Sequence, residues 1–207
     1  MKRRTFDRIV SFVGLGLSVF LFVAAALLNW GASFTSNEVK TQLLQQKITM
    51  PDKDSAGFKA LSEEAQANLA PFSKMPLTTG KQSRAYANFY IGSHLKGIAA
   101  GKVYSEVSGE ALAASAASKA DPTNIALATT AGTLMGQRTT LFMGETLRGL
   151  LLYSYAFWQI GQIAMYASWA AALGGLLVLI LTLLRFAHLR RVEADATKVR
   201  KSEQSKD

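Results

Sequence analysis

The sequence predicts an all-α membrane protein in which two transmembrane helices flank a mostly helical extracytoplasmic domain. The main evidence is the distribution of charge in this chain of 207 residues. No Asp, Glu, Lys or Arg occurs in the 29 residues of Ile9–Asn37 or in the 36 residues of Gly149–Leu184. In addition, no segment alternates apolar and polar residues for long enough to predict a β-strand. Purely soluble globular domains rarely confine their charges in this way.

Residues 1–8 form the predicted cytoplasmic N-terminal tail, and residues 9–29 form the first predicted transmembrane helix. Twenty helical residues rise about 30 Å, which matches the hydrocarbon core of a bilayer. Trp30 follows the apolar run, where an interfacial anchor is expected. Four basic residues precede this predicted span: Lys2, Arg3, Arg4 and Arg8. The alternative is a cleaved signal peptide, because Ala24–Ala26 offers a small-residue cleavage site.

Residues 30–148 are predicted to form a mostly helical extracytoplasmic domain. Thr35–Glu38 has the pattern of a capping box, and apolar residues recur after it at helical spacing up to Pro51. Further helical stretches are predicted to end at Pro71 and at Gly101. The region contains few large aliphatic residues, so its own core should be small. Such a domain is expected to lean on the membrane surface, on the second long helix or on a partner protein.

The uncharged run that begins at Gly149 is too long for a single bilayer crossing. Its 36 residues would rise about 54 Å as one helix, against a hydrocarbon core of about 30 Å. We therefore predict a membrane-proximal apolar helix over residues 149–162 and the second transmembrane helix over residues 163–184. A polar cytoplasmic tail follows over residues 185–207. The membrane-proximal segment must rise out of the membrane, pack against another apolar surface or turn at Gly161.

Basic residues adjoin both predicted inner ends of the spans, which indicates a multi-pass protein of the cell membrane with both termini in the cytoplasm. The central domain then lies outside. Three arginines follow the second span and three aromatic residues lie near its opposite end: Arg185, Arg190 and Arg191, and Trp158, Tyr166 and Trp169. Because topology accounts for these basic clusters, membrane lipids and other integral membrane subunits are the expected partners, and nucleic acid is not.

Two sets of residues are candidates for contacts with partners. Ala167, Ala171 and Gly175 recur every four residues and form a predicted helix–helix interface, since small side chains let two helices approach closely. The neighbouring helix could be the first span, where Gly14 and Gly16 form a similarly flat patch, or a helix of another protein. Arg148 and Trp158 are candidate contacts for a partner or a lipid headgroup. Arg148 also lies three residues after Glu145, a spacing that favours an ion pair on one helical face.

A ligand site formed by His94, Tyr104 and Glu106 is a further hypothesis, in which the histidine and the carboxylate could act as an acid–base pair or as metal ligands. The alternative is that His94 only makes hydrogen bonds near the end of its helix. The chain has two histidines and no cysteine. We therefore expect no catalytic residues, no metal site and no cofactor, and we expect that the protein is not an enzyme.

Four segments carry a resemblance to small two-span actinobacterial membrane proteins with a helical extracytoplasmic loop. They are LLQQKITMP (Leu43–Pro51), AYANFYIGSHL (Ala85–Leu95), GKVYSEV (Gly101–Val107) and TLFMGETLRGLLLYS (Thr140–Ser154). Proteins of this group often carry the label of aromatic ring-opening dioxygenase. Such an enzyme needs iron ligands, and one extracytoplasmic histidine cannot supply a site of two histidines and one carboxylate. The chain therefore does not fit that label.

The layout is also similar to that of accessory subunits of the actinobacterial cytochrome bcc–oxidase supercomplex, which are anchored, lack cofactors and project a small domain outward. This resemblance implies a non-catalytic accessory or assembly subunit of a larger membrane complex, with the respiratory supercomplex as the candidate assembly. The alternative function is a free-standing sensor or ligand-binding module that faces the envelope. A sensor needs a cytoplasmic output domain, and the 23 residues after Leu184 are too few to form one.

Overall fold

The computed structural model describes residues 3–204, with side chains described for residues 5–192 and for Ala194. The remainder of the predicted terminal tails, residues 1–2 and 205–207, lies outside the described residues. Within the described part the chain is helical and contains no β-strand. The helices are α1 (Arg3–Gln45), α2 (Ala56–Lys59), α3 (Glu63–Leu69), α4 (Gly80–Ala85), α5 (Gly92–Ile98), α6 (Tyr104–Ala120) and α7 (Ile125–Gln204). A 3₁₀ turn (Ala70–Phe72) follows α3, and a π-helical turn (Tyr86–Ile91) joins α4 to α5.

Two of these helices are long and apolar enough to cross a membrane, as the sequence predicts. The qualifying stretches are Thr5–Gln45 in α1 and Ile125–Val192 in α7. In the most apolar window of each, only 17% of the residues are buried inside the protein. Their apolar side chains therefore remain largely uncovered by the chain itself, unlike those of a core helix in a soluble protein.

The chain divides into two compact units, and the first comprises Met1–Phe34 and Gly161–Asp207. In this unit α1 and α7 pack against each other in antiparallel orientation. At one end of the pair Asp7 accepts a hydrogen bond from Arg185, and the rings of Phe12 and Phe186 meet edge to face with centroids 5.8 Å apart. The start of α1 and the basic segment that begins at Arg185 consequently lie at the same end of the pair.

The second unit, Thr35–Ile160, has a core of side chains from both long helices and from the short helices between them. The larger cluster consists of Val39, Leu43, Met50, Phe58, Leu69, Leu77, Ala85, Ala87 and Leu151. A smaller cluster consists of Leu95, Ala99, Val107 and Leu141. The core is small, as expected, and α7 contributes to both clusters.

One expectation about the start of a helix is wrong. Thr35–Glu38 does not begin a helix, because α1 continues through it to bury Val39 and Leu43; Glu38 instead accepts a hydrogen bond from the side chain of Gln42. Of the three alternatives for residues 149–162, a turn at Gly161 is not realised, since α7 is unbroken there. The helix predicted to end at Gly101 has Ile98 as its last residue, and the Gly101 N–H closes its C-terminal turn by donating to the Lys96 carbonyl at 2.8 Å. Tertiary packing thus overrides the local capping pattern at Thr35–Glu38.

Candidate functional site

Small residues repeat every seven positions where α1 and α7 meet in the first unit. Ser11, Ser18 and Ala25 of α1 are buried, and so are Ser168, Gly175 and Thr182 of α7. The Ser18 hydroxyl donates a hydrogen bond to the Gly175 carbonyl at 3.0 Å. A repeat of seven residues keeps one face of each helix against the other with a left-handed supercoil. We call these six residues the seam.

The structure brings only part of the predicted small-residue interface to the seam. A methyl group on Gly175 would lie 3.2 Å from Leu21 Cβ and 3.4 Å from the Ser18 carbonyl, so this glycine lies directly against α1. Ala171 is half-buried, whereas Ala167 is exposed. A contact between this face and another protein remains a prediction. Of the two glycines proposed in α1, Gly14 lies against Thr182, whereas a methyl group at Gly16 would meet nothing within 4 Å.

Arg148 joins α7 to the π-helical turn. Its Nε donates to the Ala87 carbonyl at 3.1 Å, and its Nη1 donates to both carboxylate oxygens of Glu145 at 2.8 and 2.9 Å. The Ala87 carbonyl also accepts the backbone N–H of Gly92. The predicted ion pair between Glu145 and Arg148 is therefore confirmed. A contact between Arg148 and a partner or lipid stays a prediction, and most of its donors already serve this chain.

The π-helical turn packs against the larger core cluster of the second unit. Ala87 is fully buried, and the rings of Tyr86 and Tyr90 stack with their centroids 4.8 Å apart. Burial raises the pKa of the Tyr86 hydroxyl above its ordinary value, and the neighbouring Tyr90 raises it further. A π turn adds a residue to a helix and often marks a functional site. Here the bonds from Arg148 and Gly92 satisfy the buried Ala87 carbonyl.

The hydrogen bonds of His94, Tyr104 and Glu106 go to three different neighbours and not to one another. His94 is exposed, and its Nδ1 lies 2.7 Å from the Tyr90 carbonyl. The Tyr104 hydroxyl accepts a long hydrogen bond (3.4 Å) from Arg138. Glu106 accepts the backbone N–H of Val103 at 2.8 Å and so caps the start of α6. In the described part of the chain, no group of three or more His, Asp and Glu side chains is placed to hold a metal ion.

Helix α4 is held firmly against α7. Thr79 and Gln82 form a capping box, with Gln82 Oε1 accepting the backbone N–H of Thr79 at 2.9 Å. The buried Ser83 hydroxyl donates to the Leu151 carbonyl at 2.7 Å. Gly80 packs directly on the Trp158 side chain, since a methyl group at Gly80 would lie 2.6 Å from Trp158 Cγ.

An open cleft of about 350 Å³ lies beside this contact. Its walls include four aromatic residues and two basic residues: Phe72, Phe89, Tyr155, Trp158, Lys81 and Arg84. Lys81 Nζ lies 5.7 Å from the centroid of the Trp158 ring, and Arg84 Cζ lies 5.1 Å from that of Tyr155. Arg84 Nη1 also donates to the Tyr155 hydroxyl at 3.2 Å. We call this feature the cationic cleft.

Sequence reasoning selected Trp158 but missed Lys81 and Arg84. The three-residue spacing of the two basic residues places them on one helical face, which is the pattern that could have pointed to a paired site. Their aromatic neighbours Tyr155 and Trp158 are more than 70 residues away in the chain, and only the packing of α4 on α7 brings them together.

A second exposed feature runs along α7 in the second unit. Its six apolar side chains are each more than half exposed: Met143 54%, Leu147 53%, Leu150 59%, Tyr153 67%, Phe157 56% and Ile160 58%. At 100° per residue they fall on one side of the helix. Of the residues that pack into the domain, Leu141 falls on the opposite side, whereas Leu151 and Trp158 fall just beyond one edge of the exposed set. We call the exposed set the α7 stripe.

No family model, no curated protein and no solved structure matches this chain.

Proposed function

We propose that this protein is a non-catalytic, membrane-anchored accessory or assembly subunit of a larger membrane complex, and that the α7 stripe is where a partner subunit binds. The observation that carries the proposal is the stripe itself. Contiguous exposed apolar surface with this many large side chains is unusual in a folded domain and marks an interaction surface.

The length of α7 argues that lipid alone does not cover its apolar surface. The helix is unbroken from Gly149 to Leu184, and these 36 uncharged residues rise about 54 Å, whereas a hydrocarbon core of about 30 Å accommodates about 20 of them. If residues 163–184 cross the bilayer, the stripe before them has to be covered by something else. A helix of another integral membrane subunit offers apolar side chains of matching character.

The respiratory cytochrome bcc–oxidase supercomplex is the assembly to test first, because its accessory subunits have a similar layout. In this proposal the chain binds by surface complementarity and contributes no chemistry of its own. The residues that carry the interaction are Leu147, Leu150 and Phe157, which lie in the middle of the stripe. Ala167 and Ala171 extend the proposal to the part of α7 predicted to lie in the membrane.

The direct test is site-specific photocrosslinking in cells. A photoreactive amino acid at Leu150 should trap a protein that remains attached when the tagged chain is purified in mild detergent. Leu112 on α6 is the matched control, because it is 55% exposed against 59% for Leu150 but stands outside the stripe. No protein adduct is expected from Leu112.

Substitution gives an independent readout of the same contact. Leu150→Gln should lower the recovery of co-purifying membrane subunits, whereas Leu112→Gln should leave it unchanged, and both variants should fold because both side chains are exposed. Adducts to lipid alone at position 150, or equal recovery of partners for the two variants, would contradict the proposal.

The alternative of an envelope-facing ligand-binding module has less support at the residues first considered for it. His94, Tyr104 and Glu106 are held by three different neighbours, Tyr90, Arg138 and Val103. A ligand site at these residues would require them to leave those contacts. The cationic cleft is a better candidate for ligand binding, and it is compatible with the role of a subunit.

A further inference from the structure

We infer that the cationic cleft binds the headgroup of an anionic phospholipid, with the phosphate between Lys81 and Arg84 and the glycerol and upper acyl region on the aromatic walls. This site is separate from the α7 stripe. The inference does not depend on the proposed role as a subunit, because a lipid can occupy the cleft whether or not a partner is bound.

Charge is the first argument. Lys81 and Arg84 are both exposed, and neither forms an ion pair with a carboxylate in the part of the chain that the structure describes. The cleft walls contain no acidic residue. Two cations one helical turn apart, without a counterion from the protein, favour an anionic ligand, and a guanidinium can give a phosphate two hydrogen bonds.

The aromatic walls are the second argument, because they select an amphiphile over a simple anion. Phe72 and Phe89 offer apolar surface beside the cations, while Tyr155 and Trp158 combine apolar rings with polar edges. Tyrosine and tryptophan prefer the headgroup level of a bilayer for this reason. At about 350 Å³, the cleft is within the range of small-molecule sites and is large enough for a phosphoglycerol group.

Rigidity is the third argument. The capping box at Thr79, the bond from Ser83 to Leu151 and the contact between Gly80 and Trp158 fix α4 on α7. The backbone that carries the two cations is thus fixed beside the aromatic rings without a ligand, which reduces the entropy lost on binding. Trp158 also precedes Ile163, the predicted start of the second span, by only five residues in the same helix.

Fluorescence of Trp158 provides the test. The chain has three tryptophans, so Trp30→Phe together with Trp169→Phe leaves Trp158 as the sole reporter in the full-length protein. In a neutral maltoside detergent, short-chain phosphatidylglycerol should change Trp158 emission saturably. Phosphatidylcholine of the same chain length, whose headgroup carries no net charge, should give a much weaker change.

Two matched double variants distinguish lipid binding in the cationic cleft from a general effect of surface charge. Lys81→Gln with Arg84→Gln should raise the half-saturating concentration of phosphatidylglycerol about tenfold or more, as expected for losing hydrogen bonds to a charged group. Lys59→Gln with Lys96→Gln removes the same charge from exposed positions outside the cleft and should leave that concentration unchanged.

Several outcomes would overturn the inference. Equal responses to the two lipids would show that the anionic headgroup is not recognised. Equal affinities for the two double variants would show that Lys81 and Arg84 do not hold it. Saturation by glycerol 1-phosphate at the same concentration as the lipid would identify the ligand as a soluble phosphate ester. None of these results bears on crosslinking at Leu150, so the two proposals fail independently.

Discussion

Arg148 shows how one side chain can connect elements that are distant in sequence. Its guanidinium binds Glu145 on its own helix and the Ala87 carbonyl, which is 61 residues away. Only an arginine offers donors in several fixed directions at once. The π-helical turn, which exposes the Ala87 carbonyl to that donor, is therefore coupled to the position of α7.

Arg148→Lys should destabilise the protein although it keeps the charge. A lysine cannot reach both partners with planar geometry, so the buried Ala87 carbonyl loses one donor, at a cost of about 1–3 kcal/mol. The melting temperature in detergent should fall by several degrees, and amide hydrogen exchange should accelerate in the π-helical turn.

Arg84→Lys is the matched control for this prediction, because Arg84 is exposed and its bond to the Tyr155 hydroxyl lies at the surface. Its melting temperature should stay close to that of the wild type. If Arg148→Lys melts at the same temperature as Arg84→Lys, the bond to Ala87 does not stabilise the domain.

The sequence predicts local pairs of residues better than distant ones. The pair of Glu145 and Arg148 follows from their spacing on one helix and is present. The bond from Arg148 to Ala87 and the contact of Gly80 with Trp158 depend on how separate helices pack. No pattern within either segment encodes those contacts, and the cationic cleft was missed for the same reason.

Among the elements, the seam gives the clearest difference between the pattern in the sequence and the packing in the structure. The spacing of Ala167, Ala171 and Gly175 favoured a contact every four residues. The buried positions Ser168, Gly175 and Thr182 instead repeat every seven. Two helices packed at a shallow angle return to the same face after two turns, so the seven-residue repeat follows from the pairing itself. The apolar faces were predictable, but the partner of each face was not.

Two glycines of α1 allow a matched test of the seam. Gly14→Leu should destabilise the helix pair, since any side chain at this position overlaps Thr182, whose β-branched side chain has little freedom in a helix. Overpacking of this kind costs about 1–3 kcal/mol. Gly16→Leu should have little effect, because nothing lies within 4 Å of that position.

Thermal unfolding in detergent measures both variants of this pair. The melting temperature should fall for Gly14→Leu and stay near the wild-type value for Gly16→Leu. Equal melting temperatures would mean that α1 and α7 are not held together along the seam.

At the scale of the whole molecule, the packing of α1 with α7 supports the predicted topology. The start of α1 and the residues around Arg185 lie at one end of the helix pair, joined by the bond between Asp7 and Arg185. If both helices cross the membrane, the start of α1 and the segment around Arg185 must then be on the same side. The basic residues at that end favour the cytoplasm.

Single cysteines test this topology, and the native chain contains none. In intact cells an impermeant maleimide should label Ser55→Cys, in the loop before α2, and should not label Ala194→Cys, near the end of α7. After the membrane is permeabilised, both should react. Labelling of Ala194→Cys in intact cells, or a mature protein that begins near Leu27, would contradict the prediction.

The bond between Ser18 and Gly175 spans 157 residues of sequence, and this separation has a consequence for synthesis. At about 5–20 residues per second, a ribosome needs roughly 8–30 s to make the intervening chain. During that interval the nascent α1 exists without its neighbour, with the small faces of Ser11, Ser18 and Ala25 uncovered. Chains that terminate before Gly175 never bury those faces. We expect such truncated chains to be short-lived in cells, as targets of membrane quality control.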